Sequence, residues 1–239
     1  MTPKLTRIRQ DDTHRLIPSR ANDSSVLARL ARDESELNDL FELDDATNGR
    51  LLGEAGLLPG ISVHELLFGV SYAHVVNAAF THAHPGGSRF NGPERGAWYA
   101  AFDLETAQAE IAFHKSQELM EINWREPETF EFDDYLADFR ADFHDIRRDA
   151  RYAECLDPAS YAASQKLGRQ LLAAGSAGIV YPSVRRRRSE CIVCFRPALV
   201  GNVRKNAAGT LRYQGAQSPP VFNRPRRSAH GPSGAADRK

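Results

Sequence analysis

The sequence predicts a single domain that mixes α-helices with β-strands, and three observations carry that reading. A chain of 239 residues with 41% apolar content is long enough to bury one substantial core without disulfide staples. Several segments place apolar residues at helical spacing behind a capping residue. Between them lie short apolar or alternating runs, bounded by glycine, proline or charge, that read as strands.

Taken in order, residues 1–13 are a polar lead-in segment. DESELNDLFELDDATNGR (33–50) then sets Leu37, Leu40 and Phe41 at helical spacing and stops at Gly49, a fitting C′ residue. ISVHELLFGVSYAHVVNAAF (61–80) opens with Ser62 and Glu65 in capping-box spacing, and its apolar residues cover most of the circumference, so a buried helix is expected. After the loop THAHPGGSRFNG (81–92), GAWYAAF (96–102) reads as a central strand. Asp103 caps the next helix, DLETAQAEIAFHKSQEL (103–119), whose Leu104, Ala107 and Ile111 form a core stripe. Glu110 lies at the flank of that stripe, about 60° from Ala107 at roughly 100° per residue, where it can look into a cleft.

ETFEFD (128–133) alternates as a strand does, and the charged stretch from there through Arg151 is expected as a helical or irregular surface excursion. Asp157–Pro158 signals a helix start, with the helix running through YAASQKLGRQLLAAG to Gly175. GIVYPS (178–183) and ECIVCFRP (190–197) read as buried strands joined by an arginine run, and TLRYQ (210–214) as another. Residues 216–239 are rich in Pro, Gly, Ser and Arg, and are expected to be a disordered basic tail. No internal repeat is present.

Charge and cysteine usage exclude more than they assign. Lys plus Arg (31) equals Asp plus Glu (31), so bulk charge gives no reason to expect nucleic acid, an anionic membrane or an acidic substrate. Three cysteines, Cys155, Cys191 and Cys194, make no secreted-type disulfide framework and suit a reducing compartment. The start, MTPKLTRIRQ, has no apolar core of a signal peptide. Residues 66–88 lack acids, lysine and arginine but hold three histidines, an asparagine and a proline, which a bilayer disfavours. A cytoplasmic protein without membrane contact is expected.

Several chemical signals compete with plainer readings. His82 and His84 could ligate a metal with His64, His74 or His114, but no pattern such as H-E-x-x-H accompanies them, and no metal site is assigned. Cys191 and Cys194 form a CxxC inside an apolar run; on a strand, residues three apart point to opposite faces, so a core role for at least one is expected. The run Arg185–Arg188 suits a solvated hairpin or a phosphate site, with Arg185 close enough to Ser183 to share a pocket. Glycine-rich G-x-G-x-x-G, G-x-x-x-x-G-K-[ST] and G-x-S-x-G motifs are absent, so any nucleotide must be held by side chains.

Arg89, Tyr99 and Glu110 answer that need as a set. Arginine presents a fixed fork of donors to phosphate, and tyrosine an aromatic face with a polar tip. Glutamate accepts from a ribose hydroxyl and stabilises positive charge. Cleavage of an N-glycosidic bond in a dinucleotide makes these three demands. Each residue also has a bland alternative: a surface ion pair, a core tyrosine, a helix-face carboxylate.

The spacing of these residues, ten from Arg89 to Tyr99 and eleven from Tyr99 to Glu110, within GSRFN…WYAA…TAQAEIAFH, resembles the RES-domain family of toxin–antitoxin toxins. Further matching stretches are RLIPSR (15–20), ATNGRLLGEAG (46–56), AAFTH (78–82), DPASYAASQKLG (157–168), GIVYPSVR (178–185) and CIVCFRP (191–197), so the similarity spans about residues 14–214. A RES-like catalytic domain over 14–215 follows. The resemblance implies an α+β domain with a split, curved mixed sheet similar to the ADP-ribosyltransferase toxins. It carries the family's arginine, glutamate and serine onto Arg89, Glu110 and Ser183, with Ser164 as the rival serine, and its active-site tyrosine onto Tyr99. Arg15 or Arg20 matches an early ligand-contacting arginine, and Asn91 and Arg185 complete the NAD-binding set. NAD enters as substrate and not as cofactor. The implied activity is cleavage of the nicotinamide–ribose bond by water or inorganic phosphate, with transfer to a macromolecule or non-catalytic nucleic-acid association as alternatives. The implied partner is a DNA-binding antitoxin, and a homodimer is compatible. SRAND (19–23) and RRRRSE (185–190) depart from the family pattern at the pocket rim.

Overall fold

The computed structural model describes residues 2–19, 60–214 and 221–223. Among these, seven strands are β1 (Lys4–Pro18), β2 (Trp98–Ala101), β3 (Glu128–Asp145), β4 (Gly178–Pro182), β5 (Glu190–Cys194), β6 (Gly201–Tyr213) and β7 (Val221–Asn223). Three α-helices are α1 (Ala73–Thr81), α2 (Leu104–Glu121) and α3 (Ala162–Ala173). The chain is a single α+β domain built on one mixed sheet. The helix expected over 33–50, the stretch ATNGRLLGEAG and Arg20 lie outside the described residues.

The sheet order is β1-β2-β5-β4-β3-β6-β7, and β1 pairs with β3 as well as with β2, so the sheet curls until it meets itself. Two seams of that ring are thin. β1 and β2 share one pair, His14↔Ala101, and the parallel β3–β4 contact has two, His144↔Ile179 and Asp145↔Val180. By contrast β1 and β3 run together from Lys4↔Asp145 to Pro18↔Phe132.

The strands reach further along the chain than the sequence predicts. Residues 4–13 of the lead-in segment belong to β1, where Ile8 and Thr13 are buried, so the domain does not begin at residue 14. The charged stretch after residue 133 continues β3 to Asp145: Tyr135, Ala137, Phe139 and Phe143 keep the alternation of a strand. Its acids are answered across the ladders, Asp133 by Lys205, Asp134 by His14 and Asp138 by Arg204. Within the tail expected to be disordered, Val221–Asn223 pairs with β6, and Phe222 packs 5.9 Å from Phe132. An apolar pair between proline and arginine runs thereby gains the sheet edge.

Helical expectations also shift. The capping box at Ser62 and Glu65 is present, but it opens only a short 3-10 turn over Val63–Glu65. Asn77 then pins the bend, accepting from Leu67 N at 2.9 Å and donating to Leu67 O at 2.8 Å, and Tyr72 takes a positive φ of 61° before α1 begins. The Asp157 carboxylate accepts from Ala159 N in a turn, and α3 starts only at Ala162, five residues after Asp157. Asp103 caps α2 as expected, accepting from Thr106 N at 2.9 Å.

The two faces of the sheet bury separate cores. Trp98, Phe139, Phe143, Val180 and Ile192 pack with Val76 and Phe80 of α1. Phe132, Ile179, Tyr181 and Val193 pack with Phe90 and with Leu167 and Leu171 of α3, and Ala107 of α2 joins them. Strand alternation divides the CxxC as expected, with Cys194 in the first core and Cys191 in the second; both are free and buried. The second face carries the candidate site.

Candidate active site

Loop 86–92 turns tightly at Gly87, whose φ is +71° and where a Cβ would lie 2.3 Å from Asn91 O. Ser88 N–H donates to Asn91 O at 2.9 Å, so the loop presents Arg89 and Phe90 at its tip. Helix α3 seats it from below. Gln165 donates to Gly86 O and Ser88 O at 3.0 and 3.1 Å, and Gly168 lies so close that a Cβ there would meet Phe90 O at 1.8 Å.

Arg89 is 7% exposed. Its Nη1 donates to Cys155 O at 3.2 Å and Asp157 O at 2.9 Å, while its guanidinium lies 4.8 Å from the Tyr161 ring centroid. Nη1 therefore holds the chain between a 3-10 helix (Ala150–Leu156) and α3. Nε and Nη2 have no hydrogen-bond partner among the described residues.

Tyr99, on β2, donates its hydroxyl proton to Asn91 Oδ1 and accepts from Phe90 N–H. The Asn91 amide is oriented by its own bonds to Gly92 O and Arg95 O, both 2.9 Å. Burial raises the Tyr99 hydroxyl well above the ordinary phenol range, outweighing the nearby cations Arg89 and Arg15. Tyr99 thus stays protonated, and its hydroxyl is committed to the loop. Arg15 follows the single β1–β2 pair, where the strands separate; it donates to Tyr99 O at 3.1 Å and lies 4.8 Å from the Trp98 ring. Burial lowers it to about 10, which leaves it cationic at neutral pH.

Glu110, half-buried on α2, accepts a hydrogen bond from the Ser183 hydroxyl on Oε1 at 2.7 Å. Arg185, from the β4–β5 hairpin, covers the Phe113 ring and donates to Pro158 O at 3.0 Å. Its neighbour Arg186 donates to Asp103 Oδ1 at 2.9 Å, so two arginines of the run are used within the fold.

One buried residue links these groups: the Tyr181 ring meets Phe90, which is bonded to Tyr99, edge-on at 4.8 Å between centroids, and Tyr181 stands opposite Cys191, whose thiol lies 3.9 Å from Glu110 Oε1. Burial lowers His114, which feels Glu110, Arg185, Arg89 and His84. The structure therefore brings Arg89, Asn91, Tyr99, Glu110, Ser183 and Arg185 around one region. Ser164 is apart in role: fully buried in α3, it donates to Tyr161 O at 3.1 Å. His82 and His84 make local bonds to Thr81 and Gly86, and among the described residues no group of His, Cys, Asp and Glu could hold a metal ion. Sequence reasoning missed Tyr161, Tyr181 and Phe113, whose aromatic types in DPASYAASQ, GIVYP and AEIAFH look like ordinary core residues.

Fold and site together define a small α+β domain whose carboxylate and cationic side chains converge beside a curled sheet. The family model for the RES domain matches residues 63–214, and the chain belongs to that family. Among solved structures, the M. tuberculosis MbcT–MbcA toxin–antitoxin complex is similar at 11% identity and a TM-score of 0.43, covering 87% of each chain. No curated protein matches in sequence. No helix among the described residues is long and apolar enough to cross a membrane.

Proposed function

We propose that this protein is a toxin-type enzyme that binds NAD and cleaves its nicotinamide–ribose bond, depleting NAD until a cognate antitoxin with a DNA-binding portion blocks the cleft. The observation that carries the reading is that a half-buried carboxylate, Glu110, and a buried arginine, Arg89, that keeps two guanidinium nitrogens unpartnered among the described residues lie on one face of the sheet, bridged by Phe90, Tyr181 and Cys191. Membership of the RES-domain family supports it.

In this reading Arg89 grips the pyrophosphate and Arg185 adds a second cation at the rim. Tyr99 offers its ring to the nicotinamide end, since its hydroxyl is already engaged. Arg15 braces β2 from behind through Tyr99 O. As the bond between the anomeric carbon and the nicotinamide nitrogen breaks, its electron pair neutralises the pyridinium, and positive charge develops on the ribose. Glu110, fixed in place before the reaction, stabilises that charge more than it stabilises the ground state, which is the condition for catalysis. An oxygen of water or inorganic phosphate then bonds to the anomeric carbon and gives up its proton.

The test is the fate of NAD incubated with purified, partner-free protein. Free nicotinamide with ADP-ribose or its phosphate ester is expected; NAD recovered intact in the presence of phosphate would sink the proposal.

A further inference from the structure

The two oxygens of Glu110 are unequal. Oε1 accepts from the Ser183 hydroxyl at 2.7 Å and lies 3.9 Å from the Cys191 thiol, whereas Oε2 has no hydrogen-bond partner among the described residues. The support behind Oε1 is itself fixed. Ser183 Oγ accepts from Arg185 N–H at 3.2 Å and Arg186 N–H at 3.1 Å, and Ser183 N–H donates to Ser189 O at 2.8 Å. Cys191, buried on β5, stands opposite Tyr181 of β4 in the ladder.

A hydroxyl has one proton and two lone pairs. The Ser183 hydroxyl donates to Glu110 and its oxygen accepts from two backbone amides, so its capacity is filled by the protein. A serine in that state has nothing left for a ligand. Its bond does something else: a glutamate side chain on a helix has several rotamers, and a donor anchored by the hairpin backbone selects one of them.

We infer that Ser183, backed by Cys191, is a positioning residue, locking Glu110 Oε1 so that Oε2 alone faces the substrate. This rests on the NAD-cleaving reading and deepens it. The free oxygen accepts from a sugar hydroxyl beside the centre that becomes cationic, and Ser183 acts on the substrate only through the carboxylate.

The test combines steady-state nicotinamide release by wild type, S183A and S183T with calorimetric NAD binding to E110Q and to E110Q carrying S183A. Positioning predicts that S183A lowers kcat roughly tenfold or more while KM stays within about twofold, because the lost interaction acts in the transition state. S183T, which keeps the hydroxyl, recovers most of the rate. In the E110Q background S183A changes NAD affinity by less than about twofold, since its route of action is already gone. A direct ligand contact gives the opposite pattern, with KM raised about fivefold at retained kcat and a similar loss of affinity in E110Q, and overturns the inference. Should S183A fail to fold, C191S and C191A replace it: a lower kcat at constant KM in C191A, recovered in C191S, supports the locked carboxylate, and equal kcat in both contradicts it. Failure of the NAD reading shows separately, as absence of release by wild type. Failure of positioning leaves that release intact and moves KM.

Discussion

The Tyr99 hydroxyl donates a hydrogen bond to Asn91 Oδ1 at 2.7 Å and accepts one from Phe90 N–H at 2.8 Å, so one strand residue closes the loop that carries Arg89. Y99F keeps the ring but leaves two buried polar groups unmatched, each worth about 1–3 kcal/mol. Thermal unfolding should shift down by several degrees, on the order of 5 °C or more for a domain of this size, and KM for NAD should rise as Arg89 loosens. An unchanged melting temperature would show that the loop is held elsewhere.

Gly168 sets the fit between α3 and that loop. Replacing it by alanine gains about 1 kcal/mol of helix propensity. Against this stands a Cβ placed 1.8 Å from Phe90 O, a backbone atom that cannot swing away. Overpacking of this kind costs about 3 kcal/mol or more, so the clash wins. Chemical denaturation of G168A should give a clearly lower midpoint at similar slope; a more stable G168A would contradict the packing described.

Arg89 has two tasks, and lysine can perform only one at a time. The guanidinium holds Cys155 O and Asp157 O through Nη1 and keeps Nε and Nη2 for an anion. R89K should raise KM for NAD roughly tenfold, because a point charge replaces a planar fork. Limited proteolysis should also cut more readily near residues 155–161. Wild-type KM in R89K would place the phosphate site elsewhere.

Acid should weaken the fold in two steps. Burial holds the His144 imidazole below its usual range, so below about pH 6.5 the unfolded chain takes up a proton that the folded chain resists, and stability falls from there toward the lower folded value. His114 shifts the same way through burial. Partial burial pushes the Asp145 carboxyl up, but hydrogen bonds from Arg147 outweigh it and hold it below the usual carboxylate range. Its contribution is complete above about pH 4 and is lost as pH drops further. Melting temperature against pH should therefore decline first below about 6.5 and again below about 4. H144Q should shrink the first step and D145N the second.

Much of this was readable in the residues. Asp103 announced α2, the WYAA and GIVYP runs gave β2 and β4, and the three-residue spacing of Cys191 and Cys194 placed them on opposite faces. Strand β3 was harder, because Asp133, Asp134, Asp138 and Asp142 look like surface until β1 and β6 supply their partners from distant sequence. The same holds for β1, whose pairing with β3 joins residues more than a hundred positions apart. In the site, spacing selected Arg89, Tyr99 and Glu110, but not what each is bonded to. That Ser183 serves Glu110, that the Tyr99 hydroxyl is occupied, and that Tyr161 covers Arg89 follow only from geometry.

In the proposed reaction Glu110 is the carboxylate that drives loss of nicotinamide. That role is tested most directly by following nicotinamide release from NAD by wild type and E110Q side by side, each with and without inorganic phosphate. Wild type should release nicotinamide, and E110Q should lose roughly a hundredfold or more in kcat with its melting temperature essentially retained. E110Q releasing nicotinamide at the wild-type rate would contradict it.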